Sequence, residues 1–426
     1  MKEKIINIKK GIKLHLINTD LFKTDLSVIF ITIGLDKKNI TKDVIIPEVL
    51  KSGSKTYKKQ IDISNKLNNL YGSTLETGTD KTGKNLVLKL YTESVDDIFL
   101  PNEEKNLEEC INVLLDITFN PLVKNDSFDE KYVEIEKERQ KMIIESEKDD
   151  KDTYAYDKII NIMYNDCGYG IKKNGYLEDI KNINGKNLYE RYKEIISKGK
   201  IDIFVSGNIE NKHIEESIKN NKLIESLSDR DVSCYLNDIE KQEKEEVKQI
   251  NKIEEKMDVT QGKLVVGLDV VGKTNADDRF KILLYNTILG DGANSKLFRI
   301  VREKESLAYT SKSNYVVQKS NIFIRAGIEV DNYEKTLNLI EEQLEDMRNG
   351  NFTEDDIENA KRFIYAGIDS IKEEQNTAII FYYGEEMSKN KISIEEYYDK
   401  IKNISKEDII KIAKKVKINT VYFLRN

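Results

Sequence analysis

Residues 26–34 (LSVIFITIG) form a largely apolar, β-branched run, the pattern of a buried strand. Residues 60–70 (QIDISNKLNNL) space their apolar groups for one face of a helix, and Tyr71-Gly72 closes it. Residues 85–92 (NLVLKLYT) alternate as a strand does, and 104–118 return to helical spacing until Asn120-Pro121 stops it. A long charged helix is predicted over 128–148 and another over 186–198, followed by the strand 201–206 (IDIFVS) and Gly207-Asn208.

The pattern then recurs. Strands are predicted at 263–271 (KLVVGLDVV), 320–330 (SNIFIRAGIEV) and 418–424 (INTVYFL), with helices at 277–289, 333–348, 354–372 and 405–416. Asn182-Ile183-Asn184, a helix and IDIFVSGN can be laid on Asn403-Ile404-Ser405, a helix and NTVYFLRN, an offset of 221 residues (403 − 182). That is a duplication of domain size rather than a solenoid period. It predicts an α+β fold of two tandem, similar domains. Residues 236–256 are highly charged and almost free of aromatics, the composition of an exposed linker with transient helix. The expected organisation is an N-terminal domain at 1–225, a linker at 226–256 and a C-terminal domain at 257–426.

Composition narrows the class. At 426 residues the chain is too long for one ordinary core. Its 39% hydrophobic and 34% charged residues fit a folded protein with charged helix faces. A net charge of −7 gives no reason to invoke nucleic acid. The start, Met1-Lys2-Glu3-Lys4-Ile5-Ile6, lacks the apolar stretch of a secretory signal, and no run of about 18 apolar residues predicts a membrane span. Cys110, Cys167 and Cys234 are odd in number and far apart, so no disulfide framework follows and a cytoplasmic setting is expected.

The chemistry-bearing candidates are few. Gly262, Gly267 and Gly272 are too widely spaced for a phosphate loop. Thr153-Tyr154-Ala155-Tyr156 and Tyr382-Tyr383 read as core or interface aromatics, and no Ser-His-Asp arrangement stands out. The two histidines, His15 in an early strand and His213 in a polar helix, read as structural or surface residues. The richest stretch is LGDGANSKLFRIVREKESLAYT, residues 289–310. Gly290 and Gly292 bracket an aspartate after an apolar helix, and Ser295 is placed to cap a helix carrying Leu297, Phe298, Val301 and Arg302.

This stretch resembles the insulinase-like M16 zinc peptidase family, whose members carry a Gly-rich turn, Ser-x-Leu-Phe and Arg-Glu-x-x-x-Leu-Ala-Tyr. Asn69-Leu70-Tyr71-Gly72-Ser73, Tyr169-Gly170, Gly175, IDIFVSGN and the segment 136–147 (EKERQKMIIESE) extend the resemblance over most of the chain. It implies two M16-type (LuxS/metallohydrolase-like) domains, each a mainly antiparallel sheet packed with helices, together forming half of a clamshell. It also implies that Arg302 and Tyr309 hydrogen-bond the main chain of a peptide substrate.

The resemblance breaks at one place. Active members carry His-x-x-Glu-His on the first helix, with two zinc ligands and a general base. Aligning Gly53 with the turn that follows puts Val44 at the first His, Pro47 at the Glu and Glu48 at the second His. Val44 cannot bind metal, and Pro47 cannot take a proton and is expected to disturb the helix. Glu145 matches the third zinc ligand and Glu138 the acid beside it, leaving Glu48, Glu138 and Glu145 as a possible weak site for a hard cation. The chain itself is expected to hold no zinc and to lack catalytic residues. The resemblance implies a non-catalytic subunit. Its partner would be an active M16 subunit carrying His-x-x-Glu-His and the zinc, or a second copy of the chain, acting on peptide with neither nucleic acid nor membrane.

Overall fold

A computed structural model of the chain describes residues 2–101, 104–165, 168–210, 212–235, 243–388 and 391–426. The first half runs β1 (Lys2–Lys9), β2 (Ile12–Asn18), β3 (Thr24–Gly34), α1 (Ile40–Leu50), α2 (Gln60–Asn69), β4 (Thr74–Thr82), β5 (Asn85–Val95), α3 (Asn106–Phe119), α4 (Glu130–Ser146), α5 (Lys151–Tyr164), α6 (Gly185–Lys198) and β6 (Lys200–Gly207). The second half runs β7 (Asn251–Lys256), β8 (Gly262–Val270), α7 (Asp278–Gly290), β9 (Ala308–Val316), β10 (Asn321–Ile328), α8 (Tyr333–Asn349), α9 (Glu354–Ile371), α10 (Gln375–Glu386), α11 (Ile394–Lys402), α12 (Lys406–Lys415) and β11 (Val416–Arg425).

The duplication is visible in the sheets. The first has the order β1-β2-β6-β3-β5-β4 and the second β7-β11-β8-β10-β9. With β1 set aside, both read first-fifth-second-fourth-third in chain order. In each, the first and fifth strands pair in parallel and all other neighbours are antiparallel. Helix caps repeat as well. Asn184 caps α6 and Ser405 caps α12, each through a capping box that satisfies the first-turn N–H groups. These two caps lie 221 residues apart (405 − 184), the offset read from the sequence.

The runs read as buried strands are buried. Every residue of β6 is inside, as is all of β3 except its ends. Such strands need apolar residues on both faces because helices cover the sheet. A core of Ile29, Ile31, Leu88, Leu114 and Ile203 packs against α1 side chains such as Val44 and Ile45. A smaller core joins Val28, Phe30 and Phe204 to Ile379 and Tyr383 of α10.

The chain forms two compact units that are not contiguous in sequence. One comprises residues 1–146, 167–236 and 372–387, and the other 147–166, 237–371 and 388–426. The sequence places 151–164 within an N-terminal domain ending at 225, yet α5 packs on β8 and β11 of the second unit. It sits so close that a Cβ on Gly267 would meet Met163 Sδ at 2.5 Å. Its repeat counterpart α10 belongs to the first unit, where the Tyr383 hydroxyl lies 2.6 Å from Thr32 Oγ1 and Glu386 binds Lys13 (2.7 Å) and Lys200 (3.1 Å).

The expected linker also differs. Residues 236–242 lie outside the described residues, but Asn251–Lys256 is β7, an edge strand with Ile253 and Glu255 half-buried. Charged side chains suit an exposed edge because they discourage pairing with another chain. That chemistry is what makes the segment read as linker. Cys110 is buried and Cys234 exposed, while Cys167 lies outside the described residues.

Candidate functional site

Two regions carry the candidate residues, one in each unit. In the first, α1 (ITKDVIIPEVL) is apolar almost all round and buried except at Lys42 and Glu48. Pro47 lies inside it without ending it. The helix runs to Leu50, and the Lys51 N–H still donates to the Pro47 carbonyl at 3.2 Å. The expected disturbance is absent because flanking contacts fix the helix. Asp43 takes a bidentate pair of bonds from Arg191 of α6, Nε to Oδ1 at 2.7 Å and Nη2 to Oδ2 at 3.0 Å. Thr41 Oγ1 donates to Asp179 (3.0 Å) and accepts from the Tyr176 N–H (3.0 Å). Gly175 is required here: its φ is +81° and a Cβ would strike Thr41 Oγ1 at 2.6 Å.

Val44, at the first-His position, is 6% exposed and belongs to the main core. Pro47 is buried. Glu48 is half-buried and committed: Thr77 Oγ1 donates to one carboxylate oxygen at 2.7 Å and Arg139 of α4 to the other at 3.2 Å. Arg139 also pairs with Glu136 at 3.6 Å, and Lys51 pairs with Glu76 at 2.7 Å. Burial holds the Glu136 carboxyl above the ordinary carboxylate range; Arg139 opposes the shift and Glu48 adds to it. One Glu136 oxygen is buried with no hydrogen-bond partner.

The acids expected to join Glu48 are both turned to solvent. Glu138 is exposed, 4.0 Å from Lys141, and Glu145 is exposed. Among the described residues no group of three or more His, Cys, Asp or Glu side chains is placed to hold a metal ion. A buried valine, a proline and a glutamate already bound to a guanidinium do not fit a zinc ion. The charge at this place is a glutamate–arginine network. Its arginine and Glu136 carry no role in the sequence reading, although the Glu136/Arg139 spacing is the i,i+3 spacing of a helix-surface pair.

The histidines do not enter this site. His15, in β2, is fully buried between Glu3 (2.7 Å from Nδ1) and Asp202 (3.2 Å from Nε2) and stacks on Phe204. These two carboxylates, working against burial, raise its pKa. His213 does not lie within a helix. It precedes the short helix Ile214–Lys219 at φ +50° and is largely exposed.

In the second unit, α7 ends at Gly290, whose backbone packs tightly on Ser313 and Leu297. Ser295 is buried and its hydroxyl accepts from the Phe298 N–H at 3.4 Å, as a cap does. The expected helix follows, and over Phe298–Lys304 it takes the wider π form. Such turns recur at functional sites because the wider helix re-aims its side chains. Leu297 and Val301 anchor it in the core. Arg302 points outward, its guanidinium 4.6 Å from the centre of the Phe298 ring.

The Leu307 N–H donates to the Val301 carbonyl at 3.0 Å and ties this turn to β9. Ala308 pairs with Ile328 and Thr310 with Gly327, so Tyr309 is the extra residue of a β-bulge. A bulge breaks strict alternation, and Tyr309 and Thr310 are both exposed as a result. The Tyr309 hydroxyl donates to Glu329 at 2.8 Å, which raises its pKa and keeps the phenol protonated. The arrangement presents one guanidinium to solvent, a hydrogen-bond donor suited to carbonyl oxygens, beside an exposed phenol whose single proton is given to Glu329.

The chain was compared with known proteins. A family model described as the peptidase M16 inactive domain matches residues 182–364. A Bacillus subtilis protein described as the probable inactive metalloprotease YmfF is 31% identical over 419 residues, covering 97% of this chain and 96% of that protein. The uncharacterized zinc protease YmxG of the same organism is 23% identical over 259 residues, 60% of each chain. Among solved structures, a conserved protein from Enterococcus faecalis V583 superposes with a TM-score of 0.89 at 24% identity, over 100% of this chain and 99% of that one. A peptidase M16 inactive domain from Pseudomonas fluorescens does so with a TM-score of 0.78 at 14% identity, over 100% and 98%. Among the described residues no helix is long and apolar enough to cross a membrane. With Val-Ile-Ile-Pro-Glu at residues 44–48 of α1 and no histidine in that helix, the chain belongs to the M16 peptidase family as an inactive-type member.

Proposed function

We propose that this chain is the non-catalytic subunit of a cytoplasmic heterodimer with a zinc-bearing M16 homologue, and that the pair encloses, presents and processes peptides. The observation that carries this reading is a contrast. The α1 positions that would bind zinc are spent on packing and a Glu48–Arg139 pair, whereas Arg302 and Tyr309 stand exposed on a tightly built turn and bulge. Such a chain has the means to hold a peptide and lacks the means to cut one. Arg302 donates to a peptide carbonyl beside the bond that the partner's zinc site attacks, and Tyr309 does so when its hydroxyl turns from Glu329, which supplies orientation and charge stabilisation.

The test is reconstitution. The chain is purified alone and with a homologue carrying His-x-x-Glu-His, and zinc content, association and peptide cleavage are measured. The expected result is no zinc and no cleavage by the chain alone, with cleavage by the pair. Arg302→Ala should lower the pair's kcat/KM by about ten- to a hundredfold, the worth of a hydrogen bond to a charged donor. Stoichiometric zinc with chelator-sensitive cleavage by the lone chain would overturn the reading. Stable self-association with peptide binding, and no association with the homologue, would replace the heterodimer with a homodimeric peptide-binding scaffold.

A further inference from the structure

A cavity of about 800 Å³ lies in the second unit, where the start of α7 meets the end of α12. Its lining includes Lys273, Lys281, Lys411, Lys414 and Lys415. Asp278 and Asp408 are the acids in that lining, which leaves a local balance of +3 (5 − 2) in a chain whose net charge is −7. Both acids are engaged. Asp278 accepts from the Asn275 N–H at 3.1 Å and lies 3.3 Å from Lys281 and 4.0 Å from Lys415. Asp408 accepts from the Ser405 hydroxyl at 2.9 Å as the α12 cap and lies 3.7 Å from Lys411. Lys273 and Lys414 have no carboxylate within 4.0 Å among the described residues.

Lysines in the last turn of a helix oppose its negative end, and that accounts for Lys414 and Lys415. It does not account for Lys273, from the strand-like pair Gly272–Lys273, or for Lys281 of α7. Asp278 offsets Lys281 and Lys415, which also donates to the Lys273 carbonyl at 3.0 Å, and Asp408 offsets Lys411; the excess positive charge of the cavity therefore rests chiefly on Lys273 and Lys414, which an anion would join. The first amides of α7 are occupied, since Asn275 Oδ1 accepts from the N–H groups of Asp277 (3.0 Å) and Asp278 (3.1 Å). Recognition therefore falls to the ammonium groups, compact point charges that suit phosphate oxygens. The lining holds no aromatic ring on which a nucleobase could stack.

We propose that this cavity is a binding site for an oligophosphate chain, read through its phosphates alone, whether inorganic or carried by a nucleotide. The test is calorimetric titration of the full chain with sodium tripolyphosphate, ATP and adenosine at low and physiological salt. Tripolyphosphate and ATP should bind within about threefold of each other, adenosine should not bind, and affinity should fall as salt screens the lysines. The double variant Lys273→Ala/Lys414→Ala should lose about tenfold in affinity at an unchanged melting temperature. Lys55→Ala/Lys186→Ala, two exposed lysines of the first unit, should lose none. The proposal is overturned by no binding of tripolyphosphate up to about 1 mM. It is equally overturned by a loss below about threefold in the cavity variant, an equal loss in the control, or adenosine binding. These outcomes do not depend on the peptide-processing reading, which could fail while the site stands.

Discussion

Helix α1 and the stretch Phe298–Tyr309 carry the candidate residues of the two units, and they differ in how those residues are placed. In α1 the positions that would face a metal have turned inward or become paired: Val44 is core, Pro47 is buried, and Glu48 holds Arg139. In the second stretch the core anchors Leu297 and Val301 keep the turn in place, while Arg302 and Tyr309 remain exposed. The side chains of the first region serve packing and pairing. The second remains a surface that costs little stability to alter. The comparison predicts that substitutions in α1 act on folding and that those in the second stretch act on binding.

The largest effect belongs to Asp43→Ala. It leaves Arg191, only 10% exposed at its side chain, without the carboxylate that grips it twice. Removing one partner of a buried ion pair costs up to about 3–5 kcal/mol when the other charge is left alone, and Glu194, which still holds Arg191 at 2.7 Å, brings the expected loss to about 2–3 kcal/mol. Urea denaturation should show that loss, and a loss below about 1 kcal/mol would mean that α1 is not held as described.

Asp25 sharpens the point, because its charge is oversubscribed rather than matched. Lys212 pairs with Asp25 (2.7 Å) and Asp96 (2.6 Å) and lies 3.6 Å from Asp97. Burial, with added repulsion from Asp96 and Asp97, pushes the Asp25 carboxyl up to about 6 despite Lys212. A raised folded-state pKa means that the native state holds this proton more tightly than the unfolded chain does. Its contribution is present below the unfolded value near 4 and is lost as pH rises through about 6. Two pH units correspond to about 3 kcal/mol. The stability difference between the wild type and Asp25→Asn should therefore shift by roughly that amount between pH 4 and 7, against the wild type at the higher pH. A difference that does not change with pH would sink the assignment.

Val44→His returns one ligand type to its family position. The imidazole enters a core site that offers it no partner in this structure, and burying an unpaired polar group costs about 1–3 kcal/mol. Zinc should not restore the loss, since Pro47 and Glu48 leave the histidine alone. A zinc-dependent rise in melting temperature would show that α1 retains more of a metal site than its contacts indicate, and would weaken the contrast at its strong end.

Much of this was legible in the sequence, for physical reasons that can be named. β3, β6, β8 and β10 announce themselves because strands covered on both faces are mostly apolar, their buried charges Asp25, Lys200 and Asp202 being paired. The duplication shows at the α6 and α12 caps because a helix start needs a side-chain acceptor at a fixed place. β7 was hidden because an edge strand can be charged, and β4 (TLETGTDKT) because an edge strand can be polar. The membership of α5 in the second unit and α10 in the first was hidden more deeply. Periodicity states which face of a helix is buried but not which sheet buries it. At the site, the absence of histidine from residues 44–48 could be read directly, but not that Glu138 and Glu145 face solvent while Glu136 is half-buried beside Arg139. That depends on the rotation of α4, set by the burial of Val133, Lys137, Gln140 and Ile144.

The smallest expected effect on stability tests the other end of the contrast. Tyr309→Phe removes one exposed hydroxyl and its bond to Glu329, and a surface change of this kind should move stability by no more than about 0.5 kcal/mol. If the phenol serves a peptide carbonyl, the same substitution should weaken peptide binding by the assembled pair about two- to tenfold, the worth of one neutral hydrogen bond. Both readouts are needed. A stability loss of about 2 kcal/mol or more would make the bulged tyrosine a structural element like Asp43, and exposure would then no longer separate the two regions. Unchanged stability with unchanged binding would leave Arg302 to carry the peptide contact alone, since its guanidinium, steadied over Phe298, is the other donor that this surface presents.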